Sequence, residues 1–412
     1  MSNNPPPRKR DTLGIAIVGL GGAVATTAVA GTLLMRKGLQ RPVGLPLAEF
    51  DHLDLAPYTN LRFTGWDLYQ DDLYQAAAHH RVLNSEQLAA VKDDLSAMYP
   101  LPAIANHHYC EGVVNGDDST DTHRNLVATV QQQIRDFAAE IDGRVVVINL
   151  ASTESALDLT EDIYQTPAAF LAGVDANDTR ISPAMLYAYA CIDMGTPYGN
   201  FTPSVAADIP ALRQLAATNN VPVAGKDGKT GQTYLKTVIA PALRARALHV
   251  DGWFSTNILG NRDGEALRKP KSLQNKINTK GDVLTNCLGY PVEDHVVKIN
   301  YYKPRGDNKE AWDNIDIAGF LGHEMQIKVN FLCKDSILAA PLALEIARCL
   351  DLASRKGRGG VATSLGVFFK APMTPDGSEP NHNFTEQQLE LLRWLEELNA
   401  LKPVTQTVAA PE

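Results

Sequence analysis

Cysteine is scarce in this chain, and what there is forms no pattern. Five cysteines are spread over 412 residues (Cys110, Cys191, Cys287, Cys333 and Cys349), with no C-x-x-C pair among them. That excludes a disulfide framework and a zinc knuckle and fits a reducing compartment, each thiol being a small buried hydrophobe. Positive charge is also in deficit, with a formal net charge of −9. Such a surface does not attract nucleic acid or anionic membrane, so any anionic ligand must be met by a local basic cluster. No stripe of aromatic and basic residues suggests stacking on nucleic acid. H-E-x-x-H and G-x-S-x-G are both missing, and His79-His80 and His107-His108 lack metal-ligand spacing. Zincin and elbow-type serine hydrolase chemistry are thereby excluded, and these histidines read as ordinary surface or core. There is no internal repeat, heptad run or low-complexity block.

What is present is an ordinary globular composition, 44% hydrophobic, in a chain long enough for two cores. Residues 1–11 are polar and proline-rich, and disorder is expected there. Arg8-Lys9-Arg10 precedes an apolar stretch, Leu13 to Met35, that contains Ala28-Val29-Ala30, the outline of a secretory signal. Gly14, Gly19, Gly21 and Gly22 interrupt it, however, and divide it into a strand (Leu13–Val18), a tight turn and a helix from about Ala23 to Lys37. A second strand is expected at 61–66. An amphipathic helix is expected over Asp121–Ile141, with Leu126, Val127, Val130, Ile134, Phe137 and Ile141 on one face, then a strand over Arg144–Leu150. Strands alternating with helices imply a parallel, doubly wound α/β sheet. Glu293–Tyr301 and Glu324–Phe331 differ: in the second, Met325, Ile327, Val329 and Phe331 alternate with polar residues. That period of two marks a mixed or antiparallel sheet with one wet face. The helical period returns over Ile337–Ala353. A last helix, about Thr385 to Asn399, is expected to open with a capping box, Thr385-x-x-Gln388.

Three motifs carry chemistry. Gly19-Leu20-Gly21-Gly22-Ala23-Val24-Ala25 lies between a strand and a helix, where glycines let the backbone approach a pyrophosphate at the helix N-terminus. Gly225-Lys226-Asp227-Gly228-Lys229-Thr230-Gly231-Gln232-Thr233 resembles a Walker loop, but Val223 occupies the place of its leading glycine, and the kinase or ATPase reading fails on spacing. The loop's hydroxyls, Asp and lysines could contact phosphate or ribose, or simply start a helix. Lysines form the third motif: Lys269, Lys271, Lys276 and Lys280 in one stretch, Lys309 in GDNK, and Lys370 after the apolar Leu365–Phe369. Lys269 and Lys271 read as a solvated face. Lys370, ending what reads as a buried strand, needs an anionic partner such as a phosphate.

In their order along the chain these segments resemble the myo-inositol-1-phosphate synthase family. The resemblance is carried by FTGWDL (Phe63–Leu68), DMGTPYGNFTPS (Asp193–Ser204), GKDGKTGQTYLK (from Gly225), NILGNRDG (Asn257–Gly264), SLQNKINTK (Ser272–Lys280), GDNK (Gly306–Lys309), KDSILAAPL (Lys334–Leu342) and FFKAPM (Phe368–Met373). Two segments depart from the family pattern: Ala23-Val24-Ala25 stands where the family has Asn-Asn-Gly, and Asn149-Leu150-Ala151-Ser152-Thr153-Glu154 where it has Trp-Thr-Ala-Asn-Thr-Glu.

The resemblance implies an α/β fold: an NAD-binding Rossmann domain (1–233 and 339–412) with an inserted α+β catalytic and oligomerisation domain (234–338). It implies conversion of D-glucose 6-phosphate to 1D-myo-inositol 3-phosphate by oxidation at C5, enolisation, aldol closure and re-reduction, with NAD regenerated, as a step towards inositol and phospholipids. By the same resemblance Lys276, Lys280, Lys309 and Lys370 are catalytic. Gly19, Gly21, Gly22, Ala23, Val24, Ala25, Asp67, Ala151, Ser152, Thr153, Gly195, Asp227, Thr230, Asp335 and Ser336 would meet NAD. Asn261, Asp263 and Asp307, with Lys276, Lys309 and Lys370, would hold substrate. A divalent metal is compatible with the family, but no ligand spacing marks one. Expected partners are glucose 6-phosphate and further copies of the chain, as a tetramer, in the cytoplasm. Neither nucleic acid nor membrane is expected. Two other readings stay open: a dehydrogenase of another phosphorylated polyol, and a non-catalytic NAD- or sugar-phosphate-binding member of the family.

Overall fold

The computed structural model describes residues 12–110, 118–260 and 283–403. The expectations made for residues 1–11 and for Asn261, Asp263, Lys276 and Lys280 lie outside the described residues.

Leu13–Val18 (β1) is buried at every position, as its unbroken apolar run requires. It pairs in parallel with β2 (Leu61–Asp67) on one side and β4 (Arg144–Asn149) on the other. With β3 (Leu101–Pro102), β5 (Tyr198–Asn200), β6 (Pro222–Gly225) and β11 (Gly360–Val361) they form a parallel sheet in the order β11-β6-β5-β4-β1-β2-β3. The run β3-β2-β1-β4-β5-β6 is the Rossmann order, which reverses direction between β1 and β4 and opens a crevice at the strands' carboxyl ends.

Alternate strand residues point to opposite faces, and helices cover both. Ile15 and Ile17 join a core with α1 (Ala23–Arg36) and a long helix over Asp335–Arg355, whereas Ala16 and Val18 join one with helices His123–Ile141 and Pro183–Met194. The stretch Leu13–Met35 is therefore strand, glycine turn and helix. Among the described residues, no helix is long and apolar enough to cross a membrane.

Between β6 and β11 the chain builds a second sheet from β7 (His249–Leu259), β8 (Asp294–Tyr301), β9 (Asn308–Ala318) and β10 (Glu324–Lys334), in the order β10-β9-β7-β8. β7 and β8 are parallel and the other pairs antiparallel, so the sheet is mixed. The helix Gly231–Ala245, here called α2, covers one face, where Ala240 and Leu243 pack with Val250, Trp253, Ile315 and Ile317. The other face leaves Phe254, Val296, Trp312 and Leu332 exposed.

Two local expectations are corrected. Leu365–Phe369 is no strand: Leu365–Phe368 belongs to a 3₁₀ turn, Thr363–Phe368, with its apolar side chains buried in the core, and Phe369 makes a single bridge to Gly228. A short apolar run fits a buried turn as well as a strand, and periodicity cannot separate them. The last helix spans Phe384–Ala400 and is capped by Asn383, whose side chain accepts from the N–H groups of Thr385 and Glu386. The helix begins one residue before Thr385, which puts that residue's hydroxyl past the capping position.

Candidate active site

The glycine turn after β1 is held from three sides. Gly19 and Leu20 donate their N–H groups to Trp66 O (2.8 and 3.0 Å), Gly21 N–H donates to Asp67 Oδ2 (2.8 Å), and His80 Nε2 lies 2.8 Å from Gly21 O. Gly19 has φ +89°, and a Cβ there would stand 2.9 Å from the backbone of Ala151. Only glycine satisfies both constraints. Gly22 is the N-cap of α1, no side chain caps that helix, and Thr26 N–H makes the first bond back to Gly22 O. The N–H groups of Ala23, Val24 and Ala25 are the orphan donors of a helix start, a setting that favours an anion.

Asp67 ends β2, where dinucleotide folds place an acid for the ribose hydroxyls. Burial raises its pKa, against the N–H groups of Tyr69, Gly21 and Leu68 and the charge of His80. A glycine cradle that a Cβ would fill, an uncapped helix start and this carboxylate together fit NAD.

Ala151, Ser152 and Thr153 follow β4 across the crevice from the glycine turn. Ala151 N–H is held by Asn149 Oδ1 (3.1 Å), within a buried network of Asn149, Asn200, Thr202 and Ser204 at the ends of β4 and β5. Ser204 Oγ accepts Glu154 N–H, and Glu154 Oε1 accepts Ala184 N–H (2.8 Å) at the start of Pro183–Met194. Burial pushes the Glu154 carboxyl up to about 7, against its bonds to Ser182 and Ala184. Gly195 is a correction. It caps the far end of that same helix in the left-handed region (φ +83°), three residues before β5 begins. That is the amino end of a parallel sheet, away from the crevice, and its glycine serves the helix stop.

The second half of the site follows β6. Residues 225–229 and 369–373 pair as reciprocal main-chain partners. Lys226 N–H donates to Ala371 O and Ala371 N–H to Lys226 O, while Lys370 N–H donates to Asp227 O. The side chains repeat the pairing, with Lys370 Nζ 2.7 Å from Asp227 Oδ1. Asp227 is thus the anionic partner that Lys370 needs. Beside them, Asp335 Oδ1 accepts Thr230 Oγ (2.9 Å) and Lys309 Nζ (3.4 Å). A Cβ on Gly231, the first residue of α2, would lie 3.5 Å from Lys309 Nζ, so this ammonium sits over a helix N-terminus. Burial pushes Lys309 down, but Asp335, Cys333 and Asp227 outweigh it and its pKa ends above the ordinary value. Lys309 is a permanent cation at neutral pH.

Asp307 and Ser336 pair with each other instead of opening to the cluster: Ser336 Oγ donates to Asp307 Oδ1 at 2.6 Å, and Asp335 N–H donates to Asp307 O. They fix the start of the helix that carries Asp335. Burial raises Asp307, Ser336 lowers it through its hydrogen bonds, and Asp335 adds to the rise. The loop's two other lysines turn away from the cluster, Lys226 to Asp208 (2.7 Å) and Lys229 to Gln387 Oε1 (2.6 Å). Among the described residues, no group of acidic, His or Cys side chains could hold a metal.

Comparison with known proteins agrees with this geometry. The sequence model of the myo-inositol-1-phosphate synthase family, an NAD-binding one, matches residues 13–396. The chain belongs to that family. It is 44% identical over 398 residues to inositol-3-phosphate synthase 1 of Bacteroides thetaiotaomicron, covering 91% of this chain and 92% of that protein. It is 28% identical to inositol-3-phosphate synthase 1 of Oryza sativa subsp. japonica, covering 95% and 86%. The fold matches the crystal structure of inositol-3-phosphate synthase from Caenorhabditis elegans with a TM-score of 0.84, at 24% identity over 98% of this chain and 90% of that one. A myo-inositol-1-phosphate synthase-related protein of Thermotoga maritima gives 0.77, at 23% identity over 95% and 100%.

Ala23, Val24 and Ala25 bring only apolar side chains to the turn, so the backbone N–H groups at the start of α1 are its donors. Sequence reasoning missed His80 behind the glycine turn, the Asn149–Asn200 network, and Gly231 and Gln232 at the start of α2. The last two lay within a motif already read as a possible helix start, but not as the residues beneath Lys309.

Proposed function

We propose that this chain converts D-glucose 6-phosphate to 1D-myo-inositol 3-phosphate with NAD as a regenerated cofactor. One observation carries the reading: the Lys309–Asp335–Thr230 cluster and the Asp227–Lys370 pair stand at the same edge of the parallel sheet as the glycine turn. A sugar phosphate there meets a helix N-terminus and a fixed ammonium, Lys309, which suit its phosphate. Lys370, held by Asp227, suits oxygen atoms that gain negative charge as the ketone enolises and the ring closes. Asp227 keeps the ammonium in place. When bound, NAD supplies the hydride acceptor and donor. Gly19, Gly21, Gly22 and residues 23–25 would hold its pyrophosphate, Asp67 its ribose, and residues 151–153 its reactive end. By family resemblance Lys276, Lys280, Asn261 and Asp263 complete the substrate site. The same reading divides the chain at about residues 234 and 338, makes it a cytoplasmic homotetramer, and leaves a divalent metal as an option near the phosphate.

The test is incubation with glucose 6-phosphate and NAD, followed by phosphorus NMR and by absorbance of NADH. An inositol phosphate resonance without NADH accumulation is expected. An oxidised sugar phosphate with stoichiometric NADH would instead make the chain a simple dehydrogenase. Binding without turnover would make it a non-catalytic family member.

A further inference from the structure

On the face of the second sheet covered by α2, a buried polar relay runs from β9 towards Lys309. Asp313, 4% exposed, accepts Trp253 Nε1–H and Ser255 Oγ–H, each at 2.7 Å, and the Gln232 side-chain amide at 3.1 and 3.2 Å. Lys236, one turn along α2, is the cation that interacts with Asp313, and its Nζ lies 2.7 Å from His295 Nε2. Gln232 Oε1 in turn accepts from Asn257 Nδ2. Asn257 is 2% exposed, and among the described residues its Oδ1 is buried without a hydrogen-bond partner.

The relay ends at the substrate site. Asn257 and Leu259 share one face of β7, and Leu259 pairs across to Lys309. Gln232 directly follows Gly231, the residue under Lys309 Nζ.

Donor and acceptor chemistry leaves this chain one arrangement. Indole N–H and amide NH₂ groups only donate, and a carboxylate only accepts. Asp313 therefore draws the NH₂ of Gln232, which turns Gln232 Oε1 to Asn257. Asn257 must answer with its own NH₂, and its oxygen is left over. A carboxamide with no such neighbour could sit either way round.

We propose that Asp313 is a positioning residue for substrate: through Gln232 it fixes the Asn257 carboxamide so that its oxygen accepts a hydrogen bond from a hydroxyl of the sugar phosphate. This rests on the functional reading above. A buried acceptor left unsatisfied is unfavourable, so the site discriminates against a ligand that lacks the hydroxyl.

The test reverses the relay. In Asp313→Asn the new amide keeps its oxygen for Trp253 and Ser255 but offers NH₂ to Gln232, so both downstream amides turn over and Asn257 presents a donor. The KM for glucose 6-phosphate should rise roughly tenfold or more, with kcat much less affected and NAD affinity unchanged. Adding Asn257→Asp restores an acceptor at the end of the reversed relay and should bring KM back to within about threefold of wild type. Gln232→Met cuts the relay without touching Asp313 and frees the Asn257 carboxamide to sit either way round, so KM should rise by a smaller factor of about threefold, and it decides the matter if Asp313→Asn does not fold. An unchanged KM in either single variant, or no recovery in the double variant, overturns the proposal. A wild-type protein with no affinity for glucose 6-phosphate overturns the functional reading instead, and the assigned hydroxyl with it.

Discussion

Lys370 and Asp227 hold one another at 2.7 Å with little exposure on either side, so removing one leaves the other an uncompensated charge. On the proposed reading Lys370→Met removes a donor from where oxyanions form, and it should lower turnover roughly a hundredfold or more. NAD affinity should barely change. The variant should also lose about 1–3 kcal/mol of stability, and adding Asp227→Asn should recover stability without recovering turnover. Chemical denaturation and steady-state kinetics on the three proteins check both halves. The glycine turn makes a second residue-scale prediction. Gly19→Ala forces a side chain into the left-handed region and onto the Ala151 backbone, for about 1–3 kcal/mol and most of the NAD affinity. Gly21→Ala meets the Asp67 carboxylate at 3.2 Å and Ala76 Cβ at an ordinary 3.9 Å, and should be milder; melting and NAD titration separate them. Gly21→Val, larger still, should displace Asp67 and abolish NAD binding. Residues inside motifs, such as Lys309, Lys370 and Asp227, were legible in the sequence. The roles of His80 and Asn200 were not, because an imidazole or amide acquires its partner from a segment far away in the chain, even when, like Asn200, it lies inside a motif.

At the scale of elements, Lys229 ties the loop after β6 to the last helix through Gln387. Burial pushes its pKa down to about 7, with Cys287 acting weakly the other way. The folded state therefore releases this proton near pH 7, whereas the unfolded chain keeps it until the ordinary lysine range. Between those values the unfolded state binds the extra proton, and stability rises with pH. Denaturation from pH 7 to 10 should show a gain on the order of 2–4 kcal/mol that Lys229→Met abolishes. A flat wild-type profile would show that Lys229 is not so buried in solution. Element reading succeeded where burial is one-sided or complete: β1 and β4 stand out as apolar runs and His123–Ile141 as an amphipathic stripe. It failed at Thr363–Phe368, where a turn is as apolar as a strand, and at Asn383, where the cap lies two residues upstream of the motif that suggested it.

For the whole molecule, the uncovered face of the second sheet matters most. Phe254 pairs with Val296 and Thr256 with Trp312, which places these large apolar side chains together on the face opposite α2. A patch of this kind suits a second copy of the chain. Trp312→Glu should shift sedimentation at micromolar concentration towards smaller species while the circular dichroism spectrum of the fold stays unchanged. A wild-type monomer under those conditions would refute the oligomer. The change from apolar runs to period-two alternation near residue 293 signalled this second sheet in advance, whereas the parallel pairing of β7 and β8 left no trace in either strand's pattern. The pairing of residues 225–229 with 369–373 bears, finally, on how the protein is made. Emerging from the ribosome, the chain delivers the glycine turn, β4 and Asp227 long before Lys370, with the entire second sheet synthesised in between. Asp227 waits for its cation until translation has passed Phe369. On the proposed reading, the ammonium for the chemistry and the helix Asp335–Arg355 that packs on α1 both come late, so catalytic competence arrives only when synthesis is nearly complete.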